Sequence, residues 1–179
     1  MSCARDPVRM KRPPVDRWWY TVRDGAAPAS VAAVCRATLL AQRPRLDTIY
    51  VDVLSDEPWP DDVRWAVDEL SALAAQQRRG DPTGAVLDPR VDRHVDLAAA
   101  VAPFTICAYG VDHDDEEGSV WSVDDTGTSC AFALRLAELA AVHRRLDALD
   151  VPRGDLVLFE VRRRVRWRRD DTVRLEPRA

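Results

Sequence analysis

The densest chemistry in this chain lies in one short stretch. Asp112, Asp114, Asp115, Glu116 and Glu117 place five carboxylates within six residues, beside His113. Alternate carboxylates such as Asp112, Asp114 and Glu116 have the spacing with which a loop wraps a hard cation. The pattern then departs from a calcium loop. Glycine (Gly118) stands at the seventh place rather than the sixth, and the twelfth place is Val123, not a bidentate glutamate. A solvated hairpin tip or an acidic patch facing a protein partner fits better, so no metal and no cofactor is expected. Crowded carboxylates repel one another, and positive charge nearby would stabilise them.

The second charged feature is its opposite. From Val157 onward, alternation puts Phe159, Val161, Val165 and Trp167 on one face of a strand, interrupted by Arg163. The other face carries Glu160, Arg162, Arg164, Arg166 and Arg168. Same-face neighbours on a strand lie about 6.6–6.8 Å apart, a step comparable with that between phosphates, so the segment 162–169 is geometrically compatible with nucleic acid. Edge-strand arginines also prevent aggregation and pair with carboxylates across a sheet. A formal net charge of −4 argues against a dedicated nucleic-acid binder.

Three weaker candidates follow. Gly127-Thr128-Ser129-Cys130 reads as a strand-to-helix junction, where backbone donors hold anions and a thiol gains reactivity. Asp124 and Asp125 just upstream oppose both, and ordinary capping by Thr128 or Ser129 is the simpler account. Asp24, Asp52, Asp124, Asp125 and Thr128 fall at the carboxyl ends of predicted strands, where open α/β sheets bind ligands. Trp65, one of six tryptophans, sits opposite the apolar stripe of its helix, near Asp61 and Asp68, and is a candidate contact anchor.

Missing signatures narrow the field. The chain has no glycine-rich phosphate loop with lysine, no dinucleotide fingerprint, no G-x-S-x-G elbow and no H-E-x-x-H. His94, His113 and His143 have no ligand-like spacing. Cys3, Cys35, Cys107 and Cys130 form no C-x-x-C pair, and the last three sit in apolar segments, as core thiols of a reducing compartment would. No run approaches the roughly 20 apolar residues of a membrane span, and the basic N-terminus lacks the apolar core of a secretory signal. A soluble, cytoplasmic protein with no membrane contact is expected. Lys11 is the only lysine among 26 basic residues, a bias that fits a GC-rich genome.

These residues need a scaffold, and 179 residues at 46% hydrophobic content can build one core. Residues 1–16, with Pro7, Pro13 and Pro14 among charges, read as a loose arm; residues 17–179 read as one globular domain. Strands are expected at 18–22, 48–54, 104–111, 119–123 and 156–169, with a short return at 172–176. A helix opens at Pro28, with Val31, Val34, Cys35 and Thr38 on one face, and ends at Pro44. Another starts at Pro60, with Asp61 and Asp62 in its first turn and Val63, Ala66, Val67, Leu70, Leu73 and Ala74 in its stripe. Residues 80–88 read as a loop, a shorter helix runs from Pro89 through Val101, and the longest helix covers about 129–149.

Hairpins and strand–helix–strand crossovers both occur, so the fold class expected is α+β (mixed α/β). It would be a single domain with a mixed parallel/antiparallel sheet of about five or six strands and helices packed on it. Segregated charge, surplus tryptophans and absent catalytic motifs point to a small non-catalytic protein-binding module of inhibitor, immunity-like or regulatory type. The rival is a small enzyme or ligand-binding domain using Asp24, Asp52, Asp124, Asp125 and Thr128; nucleic-acid binding through 162–169 stands behind both.

Overall fold

Runs rich in aromatic and β-branched residues form the strands, and segments with apolar residues three and four apart form the helices. The computed structural model describes residues 17–56, 58–77, 83–113 and 119–159. In chain order these give β1 (Arg17–Val22), α1 (Pro28–Gln42), β2 (Leu46–Asp52), α2 (Arg64–Gln77) and β3 (Gly84–Leu87). There follow α3 (Asp92–Val101), β4 (Cys107–Asp112), β5 (Ser119–Asp124), β6 (Ser129–Arg135), α4 (Leu136–Ala148) and β7 (Leu156–Leu158). The predicted arm, 1–16, and the predicted strand beyond residue 159 with its return at 172–176 lie outside the described residues.

The seven strands are ordered β3-β2-β4-β5-β6-β1-β7, and every neighbouring pair is antiparallel. This corrects the expectation of a mixed sheet with five or six strands. Three of the four strand–helix–strand connections join strands of the same direction, while the fourth, β2–α2–β3, joins neighbouring antiparallel strands. In those three, at least one other strand lies between the two. β1 and β2, joined through α1, are separated by β4, β5 and β6; β3 and β4, joined through α3, flank β2; β6 and β7, joined through α4, flank β1. A helical connection by itself therefore left both direction and adjacency open.

The four helices form one layer. α1 packs between α4 and α3, and α2 packs on α3 and against β3. Beneath them Leu87, Ile49, Gly110, Trp121 and Phe132 stand in register across five strands, all fully buried or nearly so. At Gly110 a Cβ would sit 3.1 Å from Leu46 Cδ2, so the position holds the space Leu46 fills. The opposite face carries Val86, Tyr50, Tyr109 and Ser122 in register, with the two tyrosine rings stacked at 4.9 Å. β3 is an edge strand, and Gln77 of α2 bonds both the N–H (2.8 Å) and the C=O (2.6 Å) of Val86, which blunts that edge.

Two element assignments differ from the sequence reading. The predicted helix over 129–149 is strand β6 followed by α4. Residues 130–134 are buried on both faces between β5 and β1, and a strand buried on both sides carries a continuous apolar run that mimics a buried helix. The loop expected over 80–88 contains β3, only four residues long, too short to show alternation.

α1 and the sheet are joined by buried polar links: Gln42 donates to the Val120 and Ala133 carbonyls at 3.1 and 2.9 Å, and a second link runs through Trp121. Trp121 Nε1 donates to Thr38 Oγ1 at 3.0 Å, and Thr38 donates back to the Val34 and Cys35 carbonyls at 2.9 Å. Thr38→Val keeps the shape and leaves the indole N–H without an acceptor. Urea unfolding is expected to show a loss of about 1–3 kcal/mol, with the far-ultraviolet circular dichroism unchanged.

Candidate functional site

Charged residues concentrate at the two ends of the sheet and on the helical layer. At the end where β4 finishes, Asp112 is fully buried and lies 2.9 Å from Arg17 NH1 and 2.7 Å from Arg45 NH1. Arg45, also buried, reaches Glu138 Oε1 with its Nε at 2.7 Å and donates to the Ala133 carbonyl. Glu138 in turn accepts the N–H of Arg135 at 2.8 Å, closing the start of α4. His113 Nδ1 is 2.6 Å from the Arg45 carbonyl and 3.5 Å from Asp112. This corrects the placement of Asp112 in an acidic surface patch: its carboxylate points inward and its charge is met by two guanidinium groups. Asp114, Asp115, Glu116 and Glu117, and likewise Arg162, Arg164, Arg166 and Arg168, lie outside the described residues.

At the opposite end β1, β2 and β5 all finish, because the three run in one direction although no two are neighbours. That gathers Asp24, Asp52, Asp124 and Asp125, but on two sides of the sheet. Asp124 is in register with Cys107 and Ser129, and Asp52 with Gly84. These lie two residues along their strands from Ser122, Tyr109 and Tyr50, hence on the face away from the helices. Burial raises the pKa of Asp124 above its ordinary 3.8 and repulsion by Asp125 adds to this, while a hydrogen bond with Cys107 works against both.

Asp24 and Thr128 are elsewhere, on the helical side. They line a cavity of about 340 Å³ with Arg23 and Thr126, over an apolar floor of Val22, Val31 and Pro103. Its rim is the β5–β6 turn, in which Asp125, Thr126 and Gly127 have φ of 51°, 55° and 77°. A Cβ on Gly127 would lie 2.8 Å from Pro103 Cα, so the turn requires glycine both for its backbone and for its close packing. The Thr126 N–H donates to the Thr105 carbonyl at 3.0 Å, which helps hold the left-handed pair in place. The sequence reading of Gly127-Thr128-Ser129-Cys130 as a helix start is thereby corrected to a hairpin turn. Cys130 is buried and donates to the Gly127 carbonyl at 3.4 Å. Its neighbour Cys35 has its thiol pKa raised by burial and by Cys130, which opposes thiolate chemistry there.

The third location is the outer surface of the helices. Trp65 of α2 is 41% exposed, and the Arg93 guanidinium lies 4.3 Å from its ring centroid. Arg93 is itself clamped by Glu69 at 2.5 Å, a pairing that raises the pKa of Arg93 and lowers that of Glu69. Beside this stack is a shallow groove of about 510 Å³ floored by Ala32 and Ala33 of α1 and Ala99 and Ala100 of α3, with Leu149 (53% exposed) on its wall. Arg36 and Asp96 pair at 2.7 Å along it.

Among the described residues no group of three or more His, Cys, Asp or Glu is arranged to hold a metal, and no helix is long and apolar enough to cross a membrane. Sequence reasoning missed Arg17, Arg45 and Glu138, for nothing in the residues around them marks a buried ion cluster. It also missed Arg93, 28 positions from Trp65. Asp-Asp-Thr-Gly-Thr was a turn signal that could have located the cavity rim. Comparisons with protein-family models, curated proteins and solved structures find no match.

Asp112→Asn removes the charge and leaves Arg17 and Arg45 buried. The expected cost is about 3–5 kcal/mol in chemical denaturation, whereas Asp147→Asn, which breaks an exposed pair with Arg153, should leave the midpoint nearly unchanged. For Asp124, the raised folded pKa means the native state binds more protons than the unfolded chain between 3.8 and that raised value. Stability therefore falls as pH rises through this window. Asp124→Asn should be more stable than the parent above the window and lose that advantage below it, as read from melting temperatures across the acid range.

Proposed function

We propose that this chain is a small non-catalytic protein-binding module, of inhibitory, immunity-like or regulatory type, that docks through its helical layer around Trp65. The observation that carries this is the Trp65–Arg93–Glu69 stack beside an alanine-floored groove. Tryptophan and arginine dominate the energetics of protein interfaces. An exposed indole ordinarily loses rotamer freedom on binding. Here Arg93 and Glu69 already hold it, so less ordering remains to be done at the moment of contact. Alanines in the floor leave room for larger apolar side chains of a partner, with Leu149 adding apolar wall and the Arg36–Asp96 pair forming a polar rim of the kind such interfaces have.

The charge segregation remains part of the proposal. Carboxylates at 114–117 and arginines at 162–168 would steer association and make its rate salt-dependent more than they would set affinity. Support for the helical face does not depend on them.

The test is capture from the native host at low salt with a photo-crosslinking residue at position 100, followed by mass spectrometry. One protein species is expected with the parent. Trp65→Ala should weaken its binding by about 2 kcal/mol, roughly thirtyfold, and Ala33→Glu, which fills the groove with a charge, should weaken it at least as much. Melting temperatures confirm that both variants are folded. Equal capture by parent and variants, or none by any, would count against docking at this face.

A further inference from the structure

The two edges of the sheet are treated differently. At β3, Gln77 occupies the main chain of Val86. At β7, the other edge, no side chain does so among the described residues. The ladder fixes which groups that edge presents. Arg23 donates to the Asp155 carbonyl and Phe159 to the Trp19 carbonyl, both at 2.8 Å, so these odd-numbered positions turn their main chain toward β1. In an antiparallel pair the alternate residues turn theirs the other way. Leu158 therefore directs its N–H and C=O outward from the sheet, and Leu156 its C=O, the Leu156 N–H being bonded to the Arg153 carbonyl. Leu158 is 53% exposed, and Trp18, diagonal to it on the same face, is 41% exposed. Open main-chain groups beside exposed apolar side chains are a template for a further strand.

Charge decides what kind of strand. Residues 160–169, which directly follow Phe159 and lie outside the described residues, contain six arginines and one glutamate. Of these, Arg162, Arg164, Arg166 and Arg168 share the parity of Leu158. A second copy of this chain laid antiparallel along the same edge would set arginine against arginine, and like charges opposite one another are destabilising. A neutral strand would gain the main-chain bonds alone. A strand with alternate carboxylates gains both, because guanidinium–carboxylate pairs are charge-assisted hydrogen bonds. We propose that the β7 edge accepts an extended acidic segment of a partner protein as an eighth, antiparallel strand, its main chain paired with Leu156 and Leu158 and its carboxylates with the arginines that follow. This surface shares no residue with the groove beside Trp65.

The experiment titrates the full-length, nitrogen-15-labelled chain with the peptide acetyl-ETETETETTTVTV-amide and follows hydrogen exchange at the Leu158 amide. The glutamates of this peptide fall opposite Arg168, Arg166, Arg164 and Arg162 when its first valine faces Leu158. Saturable protection of about tenfold or more is expected, weakening as salt is added. The lysine analogue acetyl-KTKTKTKTTTVTV-amide should give none. N-methylation of the two valines removes donors that face β7 and should weaken binding about tenfold or more. N-methylation of the threonines beside them removes donors that face away and should leave binding unchanged. Leu158→Pro deletes the outward N–H and keeps the pairing of Val157 and Phe159 with β1, so binding should fall with the melting temperature unchanged. Arg164→Glu combined with Arg166→Glu should reverse the preference between the two peptides. The proposal fails if the glutamate peptide gives no saturable protection at Leu158, if the lysine peptide protects it equally, or if the two methylated peptides bind alike. Protection that grows with protein concentration in the absence of peptide would place a second copy at this edge and overturn the acidic partner. None of these outcomes bears on the helical face, because capture through Trp65 is a separate readout.

Discussion

The enclosure of Asp112 between two guanidinium groups constrains the rest of the molecule. Arg17 opens β1, Arg45 precedes β2 and Asp112 ends β4, so one carboxylate ties the neighbouring β2 and β4 to β1, which lies beyond β5 and β6. Glu138 extends the tie to α4. Ions removed from water are costly unless each finds its counter-charge. A register slip in any of these strands would strip a partner from a buried charge, so the cluster selects one alignment of sheet and helical layer. Its value lies in specificity as much as in stability.

That alignment decides what gathers at the far end. A seven-stranded antiparallel sheet sends alternate strands in opposite directions, and β1, β2 and β5 happen to share one. Their trailing aspartates therefore collect at a common end. The helices cover only one face, which divides the collection. Asp52 and Asp124 stand on the side with the stacked tyrosines, while Asp24 joins the cavity beneath α1. Repulsion is lessened by that division, although Asp124 still feels Asp125 and its own burial.

The exposed Trp65 stack and the cavity beneath α1 are each held in place by contacts within the molecule. Trp65 is set by Arg93, and Arg93 by Glu69. Arg23 is set by Asp155, itself almost fully buried, and the two threonine hydroxyls by one carbonyl. In each case an exposed group is secured by a neighbouring side chain or carbonyl. Ordering costs fall with such support. α1 belongs to both surfaces, its first turn lining the cavity and its Ala32 and Ala33 flooring the groove.

Local pattern was enough to mark the elements whose periodicity stands clear of their flanks. Pro28 and the face of Val31, Val34, Cys35 and Thr38 marked α1; the stripe from Val63 to Ala74 marked α2; the β4–β5 hairpin followed from its alternation on either side of an acidic turn. It also identified Trp65 as the residue turned away from its helix's core face, because that depends only on a period of 3.6. Strand pairing came from the tertiary fold, since a helical connection leaves the neighbour open and, between β2 and β3, joins antiparallel strands. The fold alone decided that residues 129–135 are a strand, because burial on both faces erases alternation. The burial of Asp112 was likewise undecidable from local composition: a carboxylate beside four others reads as solvated until distant arginines, 95 and 67 positions away in the chain, are brought against it. Local patterns record local forces, and these contacts are long-range ones.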